Sequence, residues 1–130
     1  MFDFAGFYDV GENLVKFGDE ASIRSAISRY YYSGLGPVRM YLVEDMGETE
    51  FIDGYKIHKR IKDRLISSND DTEVSIGEKL QDLKELRNDA DYDRNRDSDY
   101  FCQHLIDVQR KSKEILEQVS ALRNSPPFQI

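Results

Sequence analysis

A chain of 130 residues, 39% hydrophobic and 33% charged, has material for one hydrophobic core and too little for two. Its formal net charge of −7 argues against strong, sequence-independent binding to duplex DNA, which needs a basic excess. A single cysteine, Cys102, excludes an internal disulfide and fits a reducing compartment.

Helical periodicity recurs along the chain and strand alternation does not. A first helix is predicted over residues 5–17, with Phe7, Val10, Leu14 and Phe17 on its apolar face and Gly18 as its stop. Asp19 is placed to cap the second helix, residues 20–45. This longest element carries a broad stripe of Ile23, Ala26, Ile27, Tyr30, Tyr31, Leu35, Val38, Tyr41 and Leu42, and forms the centre of the core. Within it Pro37 removes a backbone donor, so a kink is expected, with a break into two helices as the alternative. Gly34 and Gly36 would instead let another helix approach closely.

After a connection through residues 46–54, a third helix over residues 55–67 sets Ile57, Ile61 and Leu65 in one row, with His58 at its border. The polar run SSNDDTE reads as a loop. Ser75 and Glu78 have the spacing of a capping box for the fourth helix, with Gly77 a weak point in its first turn. That helix runs to about residue 92. A last helix, residues 99–123, turns Phe101, Leu105, Val108, Ile115, Val119 and Leu122 inward, and residues 123–130 read as a frayed tail. The expectation is an all-α fold: an up-and-down bundle of four to five helices, one domain over residues 1–130 with its core over about 5–122. No basic n-region and no stretch of about 20 apolar residues is present, so a cytoplasmic protein away from membranes is expected.

The end of the fourth helix, LKELRNDADYD, is locally inconsistent. Arg87 falls on the same side as Leu80, Leu83 and Ala90, and Asp89, Asp91 and Asp93 gather where a helix C-terminus disfavours carboxylates. Arg87 can be read as a structural ion pair with Asp91 at i+4, or as an arginine held toward a groove where its fork binds a phosphate. His58 is the better candidate general base or acid, since imidazole titrates near neutrality; its plain reading is a half-buried histidine. His104, beside Leu105, is read as structural. The basic run KIHKRIKDR, residues 56–64, is either a solvated face or a local cationic patch.

No metal site is expected. The alternating aspartates from Asp89 to Asp99 lack the glycine and glutamate of a calcium loop in either register, and one cysteine with two distant histidines does not make a zinc site. Neither a serine-nucleophile motif nor a phosphate-cradling glycine loop is present, and no cofactor is expected.

Three segments in order resemble the HEPN domains of the small, stand-alone prokaryotic kind. AISRYYYSGLGPVRMYL, residues 26–42, resembles their aromatic-rich second helix. KIHKRI, residues 56–61, resembles the Lys-x-His segment that follows, and LRNDADYD, residues 86–93, resembles the Arg-x-x-Ala-Asp-Tyr motif near the end of the fourth helix. The resemblance spans roughly residues 5–122. It implies a four- to five-helix bundle paired into a homodimer, with a ribonuclease-type groove at the interface. Many HEPN proteins are metal-independent ribonucleases acting as toxins or in defence, often encoded beside a small nucleotidyltransferase that neutralises them. Their motif is an arginine, a polar residue and a histidine four to six residues beyond the arginine. Arg87 and Asn88 match the first two, while Tyr92 stands at the first histidine position.

Two functions are therefore expected to compete. One is a metal-independent endoribonuclease, the toxin-like member of a defence or toxin–antitoxin pair, with Arg87, Asn88, His58 and Tyr92 as catalytic residues and Asp91 supporting Arg87. The other is a non-catalytic dimeric module binding a nucleotide or a partner protein through the same groove. A homodimer through the second and fourth helices is expected on independent grounds, because the stripe around Tyr30, Tyr31, Leu35 and Val38 looks wider than so small a bundle can cover.

Overall fold

A computed structural model describes residues 3–124 and holds five α-helices. They are α1 Gly6–Val15, α2 Glu20–Met40, α3 Ile57–Ile66, α4 Asp71–Tyr92 and α5 Ser98–Asn124, with a π turn, Tyr41–Asp45, prolonging α2 and a 3₁₀ turn, Thr49–Phe51, ahead of α3. Among the described residues there is no strand, and no helix is long and apolar enough to cross a membrane. The all-α bundle expected from periodicity is the observed architecture. Arg123 and Asn124 are still helical, and Arg123 is paired with Asp45 and Glu44; the rest of the expected frayed tail, residues 125–130, lies outside the described residues.

The helix α2 is the hub, packing against α1, α4 and α5, while α3 packs against α4. All nine residues of its predicted stripe are buried. That burial removes the sequence argument for a dimer: Tyr30, Tyr31, Leu35 and Val38 are 0%, 2%, 6% and 0% exposed within one chain, covered by neighbouring helices and not left for a partner. Glycine makes the close approach at Gly34, where an added Cβ would lie 3.3 Å from Ile115 Cγ2 of α5. Two buried hydroxyls, Ser33 and Ser112, meet at 2.8 Å beside it, and both reach the Tyr30 carbonyl oxygen, so this polar contact is satisfied.

Three expectations need correction. Val10 and Phe17 do not face the core, being 42% and 75% exposed; Tyr8 and Val15 pack inward in their place, beside Leu14, which packs as expected. The reason is Tyr30, whose ring fills the space where a Cβ on Gly11 would stand, 2.9 Å from Cε1, so α1 rotates its glycine inward. Secondly, α2 runs unbroken through Pro37, which overturns the alternative of two helices, and a π turn follows it, where the Met46 N–H reaches back five residues to the Tyr41 carbonyl. Thirdly, α4 starts inside the expected loop. Asp70 accepts from the Glu73 N–H at 3.0 Å, and Ser75 sits within the helix with no capping role. Gly77 then falls in the second turn, and its missing side chain has a use: a Cβ would lie 2.9 Å from Leu65 Cβ and 3.2 Å from the Ile66 amide nitrogen of α3.

The early start of α4 also buries Glu73, 4% exposed, between α3 and the π turn. It accepts from Tyr41 Oη at 2.6 Å, Arg64 Nη1 at 2.8 Å and Ser68 Oγ at 2.6 Å, and Arg64 grips Glu48 with a second pair of donors. Burial is the strongest influence on the Glu73 carboxyl and pushes it upward, but the hydrogen bonds from Arg64, Ser68 and Tyr41 together carry it below the ordinary value.

Candidate functional site

The arginine that breaks the apolar stripe of α4 lies against an aromatic ring of α2. Arg87 Cζ is 5.3 Å from the centre of the Tyr32 ring and 6.0 Å from that of Tyr92. Its Nε stands 2.9 Å from Asp91 Oδ2, so the i+4 pair anticipated from spacing is formed. The Nε–H is buried and aimed at no acceptor, however, so the contact is one of charge and not an aligned hydrogen bond. Nη1 donates to Asn88 Oδ1 at 3.2 Å. Arg87, Asn88, Asp91 and Tyr92 thus share the last turns of α4, with Tyr92 largely exposed.

His58 comes to the same aromatic pair from the first turn of α3. Its ring centre is 5.7 Å from that of Tyr31 and 5.9 Å from that of Tyr32, the latter edge-to-face. Because α3 packs on α4, Tyr32 touches both His58 and Arg87. Burial, then the charges of Lys84, Arg87 and Arg39, hold the imidazole below its ordinary value, so it is neutral at pH 7 and able to accept a proton. Tyr31 is raised, mainly by burial, and stays protonated.

Sequence reasoning missed Tyr32, Lys84 and Arg39 here. Tyr32 directly follows Tyr30 and Tyr31 in the run that the sequence reading assigned to the core, and helical spacing put only the first two on the apolar stripe. The sequence also missed Arg24, which answers the question of the aspartates. From α2 its Nη1 donates to the carbonyls of Asp89 and Ala90, at 3.4 and 3.1 Å, and Nη2 to that of Arg96 at 2.6 Å, with the guanidinium 4.4 Å above the Phe101 ring. A cation thereby covers the negative end of α4. Asp89 accepts from Tyr100 Oη, Asp93 from the Asn95 N–H and Asp97 from the Tyr100 N–H, so these carboxylates serve the turn into α5. Among the described residues no three His, Cys, Asp or Glu side chains converge as metal ligands. His104 meets Tyr100 of its own helix edge-to-face, with ring centres 4.8 Å apart.

No family model matches this chain, and no solved structure does. The chain is similar to an uncharacterised protein of Methanocaldococcus jannaschii, 31% identical over 110 residues, taking in 72% of this chain and 62% of that protein. It therefore spans under two thirds of that relative's length.

Proposed function

We propose that this chain is a HEPN-type domain acting as a metal-independent endoribonuclease, the toxin-like member of a defence or toxin–antitoxin pair, and working as a homodimer. The observation that carries this reading is the meeting of a neutral imidazole, His58, and a largely covered guanidinium, Arg87, on the ring of Tyr32. RNA cleavage without metal needs a proton acceptor and a fixed cation, and these two side chains are of those types. His58 takes the proton from a ribose 2′-hydroxyl as its oxygen bonds to the adjacent phosphorus. Arg87 balances the charge of the five-coordinate phosphorane, with Asn88 orienting the phosphate. The bond from phosphorus to the 5′-oxygen then breaks, and that oxygen leaves with a proton from the imidazolium or from Tyr92. The products are a 2′,3′-cyclic phosphate and a free 5′-hydroxyl. A small nucleotidyltransferase is the partner that would neutralise such a toxin.

A second reading, a non-catalytic dimeric module for a nucleotide or a protein, is favoured by the Arg87–Asp91 pair at 2.9 Å and by the exposed Tyr92 at the family's histidine position. Incubating the purified chain with RNA in EDTA, and analysing the cleaved ends, separates the two. Cyclic phosphate ends that vanish in Arg87→Ala and in His58→Ala are expected. Intact RNA, or fragments made equally by both variants, would leave only the second reading.

A further inference from the structure

Just over half of the lysines and arginines in this acidic molecule have carboxylates beside them. Arg64, Lys79, Lys111 and Arg123 each lie within 4 Å of an Asp or Glu, as do Arg24, Lys59, Lys62, Arg87, Arg96 and Arg110. Among the described residues, no carboxylate lies within that distance of Arg39, Lys56 or Lys84, and all three surround His58. Like charges gathered without counter-charge repel one another, and the neighbouring imidazole, depressed below its usual value, carries no negative charge to offset them. An anion is the group that would relieve this.

The space around His58 has two chemically different parts. On one side a cavity of about 440 Å³ is lined by Gly54, Lys56, Ile57, His58, Lys59 and Lys84. On the other a smaller one of about 210 Å³ is lined by Phe4, Tyr32, Leu35, Gly36, Arg39 and His58. Lys59 is already held by Asp63 at 2.7 Å, which leaves Lys56 and Lys84 as the uncommitted charges of the first cavity. In the second, two aromatic rings, Phe4 and Tyr32, and aliphatic surface are joined by one guanidinium, a set suited to a flat heterocycle with polar edges.

We infer that the two cavities flanking His58 are the phosphate and base subsites of one nucleotide unit, with Lys56 and Lys84 on the phosphate and Tyr32, Leu35 and Arg39 around the base. The inference rests on the reading of the His58–Arg87 site as one that handles RNA, and extends it by assigning the residues that hold the neighbouring nucleotide. The same chemistry would recognise a free nucleotide or one unit of a strand.

Calorimetric titration of the chain tests this with 5′-AMP, adenosine, inorganic phosphate and a 2′-O-methylated tetranucleotide that cannot be cleaved. AMP is expected to bind at least tenfold more tightly than adenosine or phosphate. Lys56→Gln and Lys84→Gln should each weaken AMP at least fivefold while leaving adenosine unchanged, and Arg39→Ala should weaken both. Lys56 is exposed and Lys84 half-buried, so unchanged thermal melts are expected to accompany these losses. A tetranucleotide bound tenfold more tightly than AMP identifies a strand as the ligand; equal affinity identifies the free nucleotide. AMP binding no tighter than phosphate, or unaffected by both glutamine variants, would overturn the assignment even if the wild-type chain cleaves RNA. Binding that meets these expectations without any RNA cleavage would keep the subsites and remove the nuclease.

Discussion

Arg87 is 18% exposed in its side chain and Asp91 26%, and these fractions decide what removing the pair should do. A fully buried carboxylate stranded by loss of its partner costs roughly 3 to 5 kcal/mol, whereas a partly wet one costs about 1 kcal/mol or less. Water reaches Asp91, so Arg87→Ala is expected to lower the melting temperature by only a few degrees while abolishing cleavage. Arg87→Lys keeps the charge without the fork, and should restore the stability but not the activity. His58 adds a pH signature. Its folded value lies below its ordinary one of about 6.5, so the unfolded chain binds the proton first as pH falls. Stability should therefore decline from about pH 6.5 downward through the lower folded value, and urea midpoints between pH 7.5 and 5 should show a shallower decline in His58→Gln.

Between elements, two glycines rank the helix contacts. Gly→Ala inside a helix gains up to about 1 kcal/mol in propensity, while overpacking costs about 1 to 3 kcal/mol. At Gly77 the new Cβ would meet Leu65 Cβ at 2.9 Å and backbone at 3.2 Å, neither able to swing away, so Gly77→Ala should be clearly destabilising in a chemical melt. At Gly34 the nearest atom is a side-chain methyl at 3.3 Å, and Gly34→Ala should cost less. The network joining the π turn, α3 and α4 has its own window: because Glu73 is held below its ordinary value, its contribution is present above about pH 4.5 and lost below it as the folded value is crossed. The α2 stripe was legible because a 3.6-residue period and a long apolar run agree. The start of α4 was not, since DDTE and SIGE offer the same cap spacing and only the burial of Glu73 beside Arg64 favours the first. Arg87 with Asp91 was legible as a local pair, but Tyr32 and Arg24 act across 55 and more residues of sequence, a range that no periodicity carries.

For the whole molecule, burial of the α2 stripe means that any homodimer must use another surface. A dimer mass by light scattering at micromolar concentration is expected if the nuclease groove is shared between subunits, and a monomer would remove the composite site. Cleavage is expected to persist in EDTA; activity lost there and restored by magnesium or manganese would return the aspartates to consideration. A final consequence follows from the guanidinium of Arg24, which ties the end of α4 to the beginning of α2 and to Phe101 of α5. Helix ends ordinarily fray, and their amides exchange with solvent through small local openings. Here the last turn cannot open without parting three helices at once, so the amides near residues 89–92 should exchange almost as slowly as those of the core, and Arg24→Ala should release them without melting the rest. The segment that carries Arg87 is thereby held still by the cooperativity of the whole bundle.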